Sequence, residues 1–133
     1  MTGAELVRAA RGLIGVAFRL HGRDPQHGLD CIGVLEAACV ACGLSCRLPN
    51  AYTLRSRSLP PLAPLAARLG LREADGEIAA GDVLLLRPHS CQYHLAIAAG
   101  GGWIIHAHAG LRRVVEGPLP AAWPLAGRWR PIS

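Results

Sequence analysis

His27-Gly28-Leu29-Asp30-Cys31-Ile32-Gly33 carries the chain from a glycine-rich loop into a helix, with a thiol in the first turn. The helix begins near Asp30 and runs to Gly43, a residue suited to the left-handed position just past a helix end. Cys31, Val34 or Leu35, Ala38 and Cys42 recur at the spacing of a buried helical face, with Cys31 at its solvent-nearest end. Asp30 suits the N-cap. Unsatisfied N–H groups and the helix dipole favour a thiolate at such a position. The expectation is a lowered Cys31 pKa and faster alkylation than at Cys39, Cys42 or Cys46.

Upstream, Thr2-Gly3-Ala4-Glu5 reads as a capping box, and Leu6, Ala9, Ala10 and Leu13 follow at helical spacing until Gly15. Residues 15–29 hold three glycines and Asp24-Pro25, so they read as loop. Downstream, residues 46–61 are turn-rich, and Pro60-Pro61 introduces a short helix over 62–69. Then the periodicity changes. Residues 82–87 form an apolar run, and 94–99, 103–108, 111–116 and 128–130 are further strand candidates. Helices first and strands later predict an α+β fold, with N-terminal helices packed on one side of a small antiparallel sheet.

Two of those strands, joined through Gly100-Gly101-Gly102, carry His94 and His106. A three-residue loop at 99–101 sets His94 directly opposite His106, with Gln92 and His108 as the next facing pair. A two- or four-residue loop shifts the register by one and sends the two histidines to opposite faces.

A thiol at a helix start, a histidine opening a strand and a second histidine in register supply a nucleophile, a base and an orienter of that base. The same residues also suit an inert α+β domain, since a strand histidine is commonly structural. Cys91, three residues before His94, is a rival nucleophile without a helix dipole, and His108 or Gln92 could replace His106. His21, His27 and His89 read as loop residues, and Trp103, Trp123 and Trp129 as packing.

Composition narrows the alternatives. The 133 residues suit one domain over 1–133. No apolar run is long enough for a membrane span, and no secretory signal is visible at the N-terminus. The chain is therefore expected to be made in the cytoplasm, and to work there, leave by lysis or ride a particle to its target. The net charge is +5, and all 14 basic residues are Arg. They are scattered, without an array of aromatics, which argues against nucleic acid. Five cysteines exclude a complete disulfide framework. Cys39, Cys42 and Cys46 read as packing residues of a reduced protein, and no metal or other cofactor is called for.

Cys…His…polar is the chain order of papain-like enzymes, and the motifs resemble one small branch of them, the NlpC-type cell-wall cysteine peptidases. Residues 15–22, Gly15-Val16-Ala17-Phe18-Arg19-Leu20-His21-Gly22, look like that family's segment before the nucleophile. Gly28-Leu29-Asp30-Cys31-Ile32-Gly33-Val34 is similar to its D-C-S-G-L motif, with Ile32 where Ser is usual. Phe18 stands where many members have Tyr. Gly81-Asp82-Val83-Leu84 resembles its G-D-hydrophobic strand, and His94-Leu95-Ala96-Ile97 and Ile105-His106-Ala107 its two histidine segments. Arg128-Trp129-Arg130-Pro131 is similar to the tail of the phage-tail and gene-transfer-agent subgroup. The resemblance implies a papain-like fold and hydrolysis of amide bonds in peptidoglycan stem peptides. It makes Cys31 the nucleophile, His94 the general base and His106 the third polar residue. Phe18, Asp30 and Ile32 become candidate substrate-binding residues, and proteins of a phage-tail-like particle candidate partners. The alternatives are a non-catalytic tail adaptor and a Cys–His amidase on another substrate.

Overall fold

A computed structural model of the chain describes residues 1–45, 47, 48, 54, 57 and 61–132. In chain order the elements are α1 (Gly3–Arg11), β1 (Arg23–Asp24), β2 (Gly28–Leu29), α2 (Cys31–Ala41), α3 (Ala63–Arg68) and β3 (Leu71–Glu73). Then follow β4 (Val83–His89), β5 (Gln92–Gly100), β6 (Trp103–His108), β7 (Arg113–Pro118) and β8 (Leu125–Pro131). The larger sheet is antiparallel, six-stranded and ordered β3-β8-β4-β5-β6-β7. The α+β expectation holds. The α1 cap is made as read, with the Glu5 N–H donating to Thr2 Oγ1 at 3.1 Å. The loop reading of 15–29 missed the β1–β2 hairpin, and the edge strand β3 carried no signal at three residues.

Strand alternation sorts the sheet into two faces. Val83, Leu85, Leu95, Ile97, Ile105 and Ala107 point toward the helices, where they pack with Leu6, Ala10, Val34, Leu35, Ala38 and Leu65. Leu84, Leu86, Ala96, Ala98 and Ile104 point the other way and are covered in part by Leu119 and Trp123. Cys39 belongs to the helix-side core and Cys42 is partly buried, while Cys46 lies outside the described residues.

Because α2 is buried on nearly every side, its start is fixed by close packing rather than by one apolar stripe. A Cβ on Gly33 would lie 2.2 Å from the Gly22 carbonyl oxygen, so only glycine lets the helix sit against that loop. At the other end of the molecule, Asp82 is fully buried and ties β8 to β4. Arg130 donates to it from Nε at 2.7 Å and from Nη2 at 3.0 Å.

Candidate active site

Asp30 caps α2 as expected. Its Oδ1 accepts the Gly33 N–H at 2.7 Å and its Oδ2 the His21 N–H at 3.1 Å. His21 reaches that carboxylate with φ +61°, a left-handed conformation uncommon outside glycine. Cys31 is therefore the first helical residue, where the backbone N–H groups have no partners within the helix.

The β5–β6 ladder ends where α2 arrives. Its pairs run from Gly100↔Trp103 to Ile97↔Ile105 and go no further. On the β4 side the Ala98 N–H donates to the Asp82 carbonyl at 2.8 Å. Alternation along the strand then turns the Leu95 N–H away from β4, toward the side that β6 has left. That N–H meets the Cys31 sulfur instead. Cys31 thus lies against β5 one residue from His94, in an apolar crevice shared with Val34, Leu35, Val83, Ala96 and Ile105. Among the described residues no side chain hydrogen-bonds the thiol.

His94 and His106 share the sheet face opposite the helices, and His94 Nε2 lies 2.8 Å from His106 Nδ1. The register that brings them together is not the expected one. The hairpin turns on two residues, Gly101 and Gly102, which alone would separate the histidines. Ala99 is bulged out between the pairs Ala98↔Ile104 and Gly100↔Trp103, and this extra residue restores the parity. All three glycines have positive φ, of 98°, 63° and 82°, so the turn needs them. Extending the register sets His94 opposite His108 and Ala96 opposite His106, so the two rings meet diagonally. Their centroids are 5.0 Å apart at 79°.

Neither alternative to His106 takes its place. His108 Nδ1 accepts the Leu111 N–H at 3.0 Å, and Gln92 Nε2 donates to the Tyr93 carbonyl at 2.7 Å. Trp123, read from sequence as packing, lies edge-on to both rings, with centroids 5.5 Å from His94 and 5.9 Å from His106. The loop over 119–124 holds it there, anchored by the Leu119 N–H to the Gly102 carbonyl and the Arg87 N–H to the Pro124 carbonyl. Two prolines flanking a lone tryptophan were the available sign of a fixed aromatic; periodicity gave none.

Electrostatics overturn the expected thiol. Burial pushes the Cys31 pKa up to about 12, and the Asp30 carboxylate adds to the rise. The N–H groups of Leu95, Ile32 and Cys31 oppose it without prevailing. Burial likewise pulls His94 down to about 3, helped by the fields of His106 and His108, and His106 down to about 4. At rest the thiol and both imidazoles are neutral, and among the described residues no hydrogen bond joins Cys31 to His94. Cys91 moves the other way, its thiol lowered by a hydrogen bond from Arg57 and another with Ser90.

The three candidate substrate-binding residues differ in exposure. Phe18 is half-buried and held beside Leu29 by a bridge, with its N–H on the Arg112 carbonyl at 2.9 Å. Ile32 is 3 % exposed and faces the core. Asp30 spends both carboxylate oxygens on backbone N–H groups. Among the described residues no cluster of His, Cys, Asp or Glu is arranged to hold a metal ion, and no helix is long and apolar enough to cross a membrane.

This architecture is the papain-like fold of the NlpC/p60 peptidoglycan hydrolase domains. The NlpC/p60 domain of the peptidoglycan hydrolase SagA superposes with a TM-score of 0.69 at 26 % identity, over 99 % of this chain and 100 % of that one. An NlpC/P60 family protein of Bacillus cereus gives 0.69 at 19 % identity, over 100 % of this chain and 41 % of its own. NlpC1 of Trichomonas vaginalis gives 0.68 at 17 %, over 96 % and 44 %. The chain thus spans the whole SagA domain but less than half of the other two. No protein-family model matches the sequence, and no curated protein matches it.

Proposed function

We propose that the chain is a cell-wall cysteine peptidase that cleaves amide bonds in peptidoglycan stem peptides through Cys31, His94 and His106. One observation carries the reading. The first residue of α2 is a cysteine lying against Leu95, and the next residue along β5, His94, has one ring nitrogen on His106 and, among the described residues, the other uncommitted.

The chemistry follows from that arrangement. With Nε2–H donating to His106 Nδ1, His94 Nδ1 carries the lone pair that accepts the thiol proton. As the proton leaves, the sulfur attacks the scissile carbonyl, and the N–H of Cys31 at the helix mouth binds the developing oxyanion. One such donor contributes about 3 kcal/mol in other hydrolases. His94 then gives its proton to the leaving amine, and the C–N bond breaks to leave an acyl-enzyme. Water, deprotonated by His94, attacks the thioester and frees the acid and the thiol. Because the resting pair is neutral, His94 works as a general base during attack, with no preformed ion pair.

Phe18 is the candidate to touch substrate directly, whereas Ile32 and Asp30 shape the site from beneath. Peptidoglycan as substrate is supported by the shared fold with SagA. Association with a phage-tail-like particle rests on residues 128–131. Mass spectrometry of a digest of purified peptidoglycan tests the function. Wild-type protein is expected to release peptide fragments that define the bond cleaved, and Cys31→Ala to release none. Equal silence from both would favour an adaptor or an amidase on another substrate.

A further inference from the structure

Arg23 pairs with Leu29 in the small hairpin that immediately precedes α2. Its side chain is 13 % exposed, and its three guanidinium nitrogens are sealed from solvent. Nε stands 3.8 Å from Asp30 Oδ1, and Nη1 stands 4.0 Å from Glu36 Oε2. Among the described residues none of the three nitrogens has a hydrogen-bond partner. Buried guanidinium groups, with five donors, are normally satisfied, so this one calls for a reason.

The carboxylates supply it. Asp30 is already engaged by the Gly33 and His21 N–H groups, and Glu36 Oε2 by the Leu48 N–H at 2.6 Å. Arg23 therefore acts on both through its charge alone. Without it, two buried carboxylates would stand beside the start of α2 with no counter-charge. The field of Asp30 would then fall uncompensated on Cys31, the residue next to it.

We propose that Arg23 is a positioning residue for Cys31: its buried charge balances the Asp30 carboxylate in the cap that fixes the sulfur at the mouth of α2. The role rests on the reading of Cys31 as nucleophile, yet it is tested without hydrolysis. The charged and titratable groups around the thiol are Asp30, Arg23 and Glu36 on the helix side and His94, His106 and His108 on the strand side. Only the first two are varied.

The measurement is the iodoacetamide alkylation rate of Cys31 against pH, resolved by peptide mass spectrometry in a Cys91→Ser background. Arg23→Met is expected to slow Cys31 about tenfold, equivalent to one unit of thiol pKa. Asn caps a helix as well as Asp, so Asp30→Asn added to Arg23→Met should restore the rate to within about twofold of Asp30→Asn alone. Arg23→Lys keeps the charge and should stay within about threefold of wild type, since no hydrogen-bond fork is lost. If Arg23→Met does not fold, Arg23→Lys decides by the same threshold. A wild-type rate in folded Arg23→Met, a Lys variant beyond that threshold, or no recovery with Asp30→Asn would overturn the proposal. Should Cys31→Ala leave wall digestion unchanged, the nucleophile reading falls while these labelling results stand.

Discussion

His94 and His106 hydrogen-bond at 2.8 Å although they do not face each other across the ladder. The diagonal contact depends on one bulged residue, Ala99, which converts a two-residue glycine turn into a register that keeps both rings on one face. Trp123 then lies edge-on to both rings and covers the pair in part. The base of the proposed site is thus a product of hairpin geometry.

Deleting Ala99 should slide β6 by one position and send His106 to the helix side of the sheet. The expected outcome is loss of peptide release together with a lowered melting temperature. Retained activity would show that the His94–His106 contact is dispensable.

In the proposed mechanism His106 orients His94 and holds its tautomer, so His106→Ala should lower kcat/KM on the order of a hundredfold. His106→Asn, which still offers an oxygen acceptor, should lose less. Steady-state rates on a purified stem-peptide fragment would check the order, and equal losses would contradict it.

The pH dependence of stability has a definite sign. His94 and His106 titrate lower in the fold than the ordinary 6.5, at about 3 and about 4. Between each folded value and 6.5 the unfolded chain binds more protons, so their contribution is full above 6.5 and fades as pH falls. Cys31 is raised from 9.0 to about 12, so its contribution is full below 9 and fades as pH rises. Denaturation midpoints should be highest between roughly 6.5 and 9 and decline on both sides. A midpoint that rose steadily from pH 7 to pH 5 would contradict the buried neutral imidazoles.

Cys91, half-buried with a lowered pKa beside Arg57 and Arg87, should react with iodoacetamide at neutral pH before Cys31 does. This reverses the order that helix position alone implies. Peptide mapping after brief labelling would decide, and Cys31 labelling first would show that its N–H groups outweigh burial.

Much of the fold was legible because it rests on local chemistry. Asp30 and Thr2 cap helices as their positions require, and the apolar runs at 83–86 and 94–98 became paired strands. The candidate residues of the site were legible too, but not how they come together. Ala98-Ala99-Gly100-Gly101-Gly102 admits several turns, and nothing in the string says which residue bulges. The Cys31 pKa was misjudged for a related reason. Helix position is written in the sequence, whereas burial under Val34, Leu35 and Leu95 and the ending of the β5–β6 ladder belong to tertiary packing. Arg23, a lone charge in a glycine-rich loop, gave no sign that it would be buried between two carboxylates.

The most direct test of the central claim is peptide release from peptidoglycan by Cys31→Ala, His94→Ala and the double variant. A nucleophile and base that act as one unit should each reduce release to background when removed, and the double variant should fall no further. Wild-type release by Cys31→Ala, or a double variant far below either single one, would contradict the account.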